Sequence, residues 1–309
     1  MKTKKNNIFK KTRRYLPIYL MVLPGFIYIL INNYLPMGGL VIAFKNLNFQ
    51  KGILGSDWVG FANFEYLFKT PDAFTITRNT LLYNFTFIIL NTLFSIILAI
   101  LISEITSKIC VKIYQTVLLL PYLISMVIVS YLVYALLNTS SGFVNNTILP
   151  MLGQEVVSWY TQAKFWPVIL AITNSWKGVG YICIIYLAAI LGIDREMYEA
   201  AGLDGAGKLK QIRYITLPMI KPTIIVMALM SIGRIMYSDF GLFYQVPLDS
   251  GALLDVTNTI DTYVFRGLLQ LGDISMSAAA GVYQSIIGFI MVLIANWFTK
   301  KYSSENALF

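Results

Sequence analysis

Histidine is missing altogether from these 309 residues. That removes the commonest general base and the usual metal ligand, so a metalloenzyme or a histidine-dependent hydrolase would lack its parts. Cysteine is nearly absent, with two in the chain. Cys110 stands beside a polar turn and Cys183 within an apolar run, badly placed to pair, so no disulfide is expected and both read as small apolar residues. Charge is scarce too: 13% of residues are charged against 57% hydrophobic, with a mean hydropathy of +0.67. A soluble domain of ordinary composition is thereby excluded. Asp and Glu number 15 against 24 Lys and Arg, a net charge of +9, but no nucleic-acid motif accompanies the excess. No carboxylate falls clearly inside an apolar run, and no internal repeat is visible. A secondary transporter would be expected to show coupling carboxylates or repeat symmetry, and an intramembrane enzyme needs catalytic groups gathered on facing helices.

What the chain has in quantity is long apolar runs. Six of them, residues 16–35, 81–102, 114–137, 165–191, 222–237 and 278–297, approach the length that crosses a bilayer. The expected fold is all-α, a polytopic membrane bundle of six transmembrane helices. Pro121 interrupts the third run, which neighbouring helices in a membrane can accommodate. The fifth is about one turn short unless Lys221 snorkels or the helix starts at Met219. Residues 1–15 carry Lys2, Lys4, Lys5, Lys10, Lys11, Arg13 and Arg14 and no acid. A cleavable signal peptide would have a shorter apolar core and a small-residue cleavage site, whereas Asn32, Asn33, Tyr34 and Pro36 follow here. With the N-terminus inside, 16 Lys and Arg fall on the cytoplasmic side and six outside, the asymmetry that sets orientation. Both termini are therefore expected in the cytoplasm. The layout is a basic N-terminus 1–15, one membrane domain 16–299 and a tail 300–309.

Between the fourth and fifth runs, the stretch 195–218 is too polar to enter the bilayer. It reads Glu199-Ala200-Ala201-Gly202, Asp204-Gly205-Ala206-Gly207 and, about a dozen residues on, Leu217-Pro218. Helix formers at Glu199–Ala201, a carboxylate near a helix start, and glycines permitting a sharp turn suggest a short helix, a bend, and a second helix that Pro218 stops or redirects. The segment resembles the EAA loop of permease subunits in binding-protein-dependent ABC importers, with eight residues at the family's spacing. Gly202 to Lys208 also spells G-x-x-x-x-G-K, but Leu209 stands where a P-loop needs Ser or Thr, and no buried strand precedes it. The phrase Trp58-x-Gly60-x-x-Asn63-Phe64 is similar to an element of many carbohydrate-type permeases, and is compatible with a purely structural, packed role. The Asp-Gly-Ala form of the loop and this phrase argue for sugars over a peptide or amino-acid permease.

The resemblance implies one permease subunit of an ATP-driven carbohydrate importer of the maltose type, similar to those for oligosaccharides and polysaccharide breakdown products. It implies a second permease subunit as heterodimeric partner, two cytoplasmic ATPase subunits holding ATP and Mg, an extracellular solute-binding protein, and a bacterial plasma membrane. This chain would bind no cofactor, metal or nucleic acid, would carry no catalytic residue, and would transmit rather than hydrolyse.

Only two basic residues fall within runs, Lys177 and Arg234, each unfavourable by about 2.5–3.5 kcal/mol near a helix centre. Each must face protein or water. They line the translocation path, or they are paired internally, snorkel, or close a subunit interface. Trp176, Tyr181, Tyr237 and Tyr283 fall at similar depth and suit stacking on the CH faces of sugars, with Asp239 and Gln284 able to bond hydroxyls. Interfacial anchoring uses the same ring types. Asp239, Asp249, Asp255, Asp261 and Asp273 form either a docking face for a binding protein or a solvated surface.

Overall fold

The computed structural model describes the backbone of residues 3–302 and the side chains of residues 15–301. The basic side chains from Lys2 to Arg14 and the tail beyond Tyr302, both assigned above to the cytoplasm, lie outside the described residues. The first helix, α1 (Thr3–Ile29), continues through a widened turn and a short tightened helix, so that Tyr15–Phe44 is one rod. A two-residue ribbon follows, β1 (Lys45–Asn46) antiparallel to β2 (Asp57–Trp58), then the short α2 (Ala62–Lys69). The rest is helical: α3 (Asp72–Ser103), α4 (Lys108–Leu123), α5 (Met126–Leu137), α6 (Trp166–Leu191), α7 (Arg195–Leu203), α8 (Lys208–Ile232), α9 (Ile260–Leu269) and α10 (Ile274–Tyr302). Among the described residues five helices are long and apolar enough to cross a membrane.

The sixth is where expectation and structure part. The run 114–137 is not one helix bent by proline but two, α4 and α5, meeting at 95°. Pro121 removes a donor near the end of α4, Ile124 and Ser125 turn extended, and the Ser125 hydroxyl accepts from Ile128 N–H at 3.4 Å to start α5. The fifth span also differs. It begins at Lys208 rather than Pro222 and ends at Ile232 rather than Tyr237. Pro218 therefore does not stop the helix; it sits inside it.

A recurring device explains how. Each of the four widened turns among the described residues comes directly before an X-Pro pair: Leu30–Tyr34 before Leu35-Pro36, Val144–Ile148 before Leu149-Pro150, Ile212–Thr216 before Leu217-Pro218, and Gly241–Gln245 before Val246-Pro247. In each, the residue before proline donates its N–H five residues back, as from Leu217 to the Ile212 carbonyl. A proline ring clashes with the carbonyl four residues earlier, and one extra residue in the turn moves that carbonyl aside.

Helix α3 lies along α6, tied by Ser95 Oγ to the Val179 carbonyl at 2.9 Å and by Asn91 Nδ2 to Asn174 Oδ1 at 2.9 Å. α4 packs on the other side of α6 at Gly180, where a Cβ would stand 1.8 Å from the Leu118 carbonyl oxygen. We expect Gly180→Val to force these helices apart, costing about 3 kcal/mol or more. Recovery of monodisperse protein from mild detergent should collapse, while Gly281→Ala, with nothing near its added Cβ, should not change it.

Residues 240–253, expected in a segment outside the membrane, pack into the protein core. Leu242, Phe243, Val246 and Leu253 are fully buried against Tyr83, Phe87, Val129, Trp166 and Leu170. The rod of α1 is the opposite case: none of its most apolar window is buried, and only its last turns touch α10. Its end is clasped by the Trp58–Phe64 phrase. Asn63 Nδ2 donates to the Ala43 and Lys45 carbonyls at 2.8 and 3.1 Å, and Phe44 stacks on Trp58 and meets Phe61 and Phe64.

Candidate functional site

Two places concentrate features that packing alone does not require. The first is the turn between α7 and α8. Asp194 caps α7, its Oδ1 accepting from Glu196 N–H at 3.0 Å. Glu199 is thus the fifth residue of the helix, not near its start as the sequence suggested; Glu196 holds the first-turn place. α7 ends in a closed motif: Gly205 N–H donates to the Gly202 carbonyl at 3.1 Å and Ala206 N–H to Ala201 at 2.9 Å. That pattern needs a left-handed residue, and Gly205 supplies it at φ +76°. The Asp-Gly-Ala triplet is therefore the helix terminus itself. Gly202 lies within α7 and Gly207 precedes α8 with ordinary φ, so one glycine makes the turn rather than three.

The turn is held rigidly. Buried Gln211 donates from Nε2 to the Ala206 and Tyr198 carbonyls at 3.2 and 3.4 Å, and the hydroxyls of Tyr198 and Thr216 share a hydrogen bond of 2.9 Å. Lys208 pairs with Glu104, in the turn between α3 and α4, at 2.6 Å. Around this frame Glu199, Ala200, Gly202, Asp204, Gly205 and Gly207 are exposed and Ala201 and Ala206 half-buried, while Leu203 and Leu209 are 91% and 83% exposed. Leu217 and Pro218 continue the exposed face onto α8. Small residues between two bare leucines form an exposed knob. Gln211→Ala leaves two carbonyls without their donor, at about 1–3 kcal/mol. The expected result is faster proteolysis confined to the turn, with detergent-extracted protein otherwise intact.

The second place lies within the bundle. Past Ile232 the chain leaves the helical conformation while Ile235 and Met236 are still buried. Side chains from three helices take up the freed backbone groups. Asn84 of α3 donates to the Ile235 and Tyr237 carbonyls at 2.7 and 3.1 Å, Gln284 of α10 to Met236 at 2.7 Å, and Asp261 of α9 accepts from Ser238 N–H and hydroxyl at 2.7 Å. Gln284 also reaches the Asp261 carboxylate at 3.2 Å. Asn84, Lys177 and Gln284 lie 10–12 residues into α3, α6 and α10, about 15–18 Å along each at 1.5 Å per residue. Irregular backbone at membrane depth persists only where protein buries it or where it lines a water-filled cavity. The carbonyl side is buried. On the other side Arg234, Tyr237 and Asp239 are exposed, and the side chains of Arg234 and Tyr237 have no hydrogen bond or ion pair among the described residues.

The remaining candidates sit as follows. Lys177 Nζ donates to the carbonyls of Pro121 (3.2 Å), Tyr122 (3.0 Å) and Ile124, at the end of α4. Tyr181 stacks on Tyr122 with ring centroids 4.7 Å apart. Trp176 lines an apolar groove of about 390 Å³ with Phe94, Val117 and Pro121. Tyr283 shares a hydrogen bond with Thr77 at 3.0 Å and meets Phe68 edge-on. The structure thus brings Arg234, Tyr237 and Asp239 together at one break, and places Lys177, Tyr181 and Trp176 at the other. Of the five aspartates expected outside, Asp249 pairs with Arg266 at 2.9 Å, Asp273 caps α10 and Asp239 accepts from Leu242 N–H at 3.2 Å, so with Asp261 four are engaged internally. Sequence reasoning missed Asn84, Gln211, Tyr198 and the Glu104–Lys208 pair. An asparagine in an otherwise apolar run was the one available signal.

Comparison with known proteins follows the same lines. The family model of the binding-protein-dependent transport system inner membrane component matches residues 91–304. The chain is 36% identical, over 99% of its length and 94% of the relative's, to a polygalacturonan/rhamnogalacturonan transport system permease protein of Bacillus subtilis (strain 168). It is 25% identical, over 93% of its length and 89% of the relative's, to an arabinooligosaccharides transport system permease protein of Halalkalibacterium halodurans. Among solved structures it is similar to a chain of a bacterial ABC transporter involved in the import of the acidic polysaccharide alginate, with TM-score 0.87, 34% identity, and coverage of 96% of this chain and 99% of that one. A second structure, of a bacterial alginate ABC transporter in complex with an alginate pentasaccharide-bound periplasmic protein, gives TM-score 0.86 at the same identity, covering 96% and 98%.

Proposed function

Because the chain belongs to the family of inner membrane components of binding-protein-dependent transport systems, we propose that it forms half of a path for acidic oligosaccharides. It is a carbohydrate-importer permease of the bacterial plasma membrane, not an enzyme; ATP hydrolysis belongs to partner subunits. The observation that carries the acidic specificity is the exposed guanidinium of Arg234, without a partner among the described residues, beside Tyr237 at the break after α8. An arginine meets a uronate carboxylate through two parallel N–H donors, and a tyrosine ring stacks on the sugar's CH face. Relatives named for polygalacturonan and alginate transport handle polymers of this chemistry.

In this reading both termini are cytoplasmic, residues 16–299 form one membrane domain, and 195–218 dock on an ATPase subunit. A second permease subunit covers the bare rod of α1, and a second ATPase serves that subunit. ATP and Mg reside on those ATPases, and an extracellular solute-binding protein delivers the sugar. The knob around Glu199–Gly207 is rigid because of Gln211 and the Tyr198–Thr216 hydrogen bond, so movement of its partner is transmitted rather than absorbed. A partner shifts an equilibrium only by its differential affinity for two states, so the ATPase must grip this knob differently before and after ATP closes it. The test is to purify the tagged chain in mild detergent and identify what accompanies it. The assembly is then reconstituted with its binding protein to compare ATPase stimulation by uronate and neutral oligosaccharides. Stimulation by neutral sugars alone would refute the acidic reading, and recovery of the chain alone, active without ATP, would refute the assembly.

A further inference from the structure

The third span is cut, and the cut is occupied by a cation from another helix. At the end of α4 the carbonyls of Pro121, Tyr122 and Ile124 converge on one point; Ile124 N–H still reaches the Pro121 carbonyl at 3.3 Å, but Ile124 and Ser125 leave the helix before the next turn can supply further donors. Lys177 of α6 fills that point with its ammonium, giving a hydrogen bond to each. An ammonium has three donors, so none is left for a solute. A positive charge at a helix C-terminus is favoured by the helix dipole, and the ammonium lies 5.9 Å from the centroid of the Tyr122 ring, on which Tyr181 stacks.

We propose that Lys177 is the positioning residue that keeps the third span broken, and that through it the orientation of α5 sets the path. The connection is direct. The first residue of α5, Met126, packs on Gly241, where an added Cβ would stand 2.6 Å from the Met126 Cβ and 3.2 Å from Asp239 Oδ1. Asp239 in turn accepts from Leu242 N–H at 3.2 Å, in the stretch that follows Tyr237. The two broken spans therefore abut, and the lysine at one end governs the placement of the other. Only the transport consequence rests on the path reading above; the geometric one does not.

The experiment uses the assembled importer in lipid nanodiscs, with Cys110→Ser and Cys183→Ala as background and spin labels at positions 113 and 136, both exposed. At 1.5 Å per residue these positions are about 35 Å apart in a straight helix and about 23 Å in the broken one. Distances measured without sugar should stay near the short value in the parent and in Lys177→Arg, while Lys177→Met adds a population beyond about 30 Å. Uptake should fall about tenfold or more in Lys177→Met, equally for uronate and neutral oligosaccharides, as expected when a reacting or binding group is displaced by an ångström or so. Lys177→Arg should restore it. Where the methionine variant is not recovered from the membrane, Lys177→Gln, with two uncharged donors, gives the same reading. Parental distances in the uncharged variant, or a loss confined to uronate substrates, would overturn the proposal and make Lys177 a solute contact. A long-distance population together with unchanged selectivity in Arg234 variants would leave it standing while the acidic-path reading falls.

Discussion

Gly205→Asp is expected to abolish sugar uptake while the chain inserts in the membrane at its normal level. Gly205 sits at φ +76° where α7 closes, and its added Cβ meets nothing within 4 Å. The intramolecular cost is only the left-handed conformation, about 1–2 kcal/mol for an L-residue and less for aspartate, which tolerates it best with asparagine. Such a cost does not unfold a helix that Gln211, the Tyr198–Thr216 bond and the Lys208–Glu104 pair hold independently. The new side chain instead projects from the exposed knob with a charge at its tip, where a partner's groove would have to take it unpaired. Glu199→Lys separates charge from strain. Glu and Lys have nearly equal helix propensity, Glu199 is exposed in mid-helix, and no described contact depends on it, so the folded chain should not register the change. Transport of labelled oligosaccharide by cells, normalised to membrane abundance, should fall about tenfold or more for either variant, the size set by losing an interface anchor. Gly205→Ala, with strain but little bulk, should lose far less. Normal uptake at normal abundance in both Gly205→Asp and Glu199→Lys would remove the knob from the coupling route.

Much of this was legible in the sequence, and the reasons for what was not are local. The long runs marked α1, α3, α6 and α10 because a helix buried in lipid must be apolar all round. The knob was legible because Asp204-Gly205-Ala206 is the chemistry of a helix terminus as well as a family signature, although Glu199's place in mid-helix depended on the cap at Asp194, five residues before it. Pro218 misled. Proline alone predicts a stop, whereas the widened turn before it, which Leu217 closes onto Ile212, is a backbone choice that an X-Pro pair permits but does not dictate, since Pro121 and Pro222 sit inside helices without one. The break at Ile124–Ser125 was hidden for the same reason in reverse: Pro121 suggested a kink, and only the lysine from α6 turns a kink into a right angle that is satisfied. Lys177 and Arg234 looked alike in sequence, two cations in apolar runs. The structure separates them by their partners, three carbonyls for one and none among the described residues for the other.

That difference makes Arg234 the position with the second largest expected effect. A guanidinium near a helix centre in a bilayer is unfavourable by about 2.5–3.5 kcal/mol unless it meets water or a counter-charge, so Arg234, exposed and without a partner among the described residues, would need one or the other on that side of the break. A carboxylate arriving there would gain a charge-assisted pair of hydrogen bonds, about 1.5–3 kcal/mol. Arg234→Gln removes the charge and the fork but keeps a polar head of similar reach, so backbone packing around Ile235 and Met236 should survive. Uptake of uronate oligosaccharides is then expected to fall about ten- to hundredfold, the factor corresponding to that energy, with neutral oligosaccharides of the same length little changed. Arg234→Lys should fall between, since a point charge attracts a carboxylate without matching its two oxygens. The decisive quantity is the ratio of the two substrates, measured in one vesicle preparation. A structural arginine would lower both together and leave the ratio where it was. An arginine that reads the substrate's charge lowers one, and raising the salt in the assay should then narrow the gap between parent and variant as screening weakens the attraction.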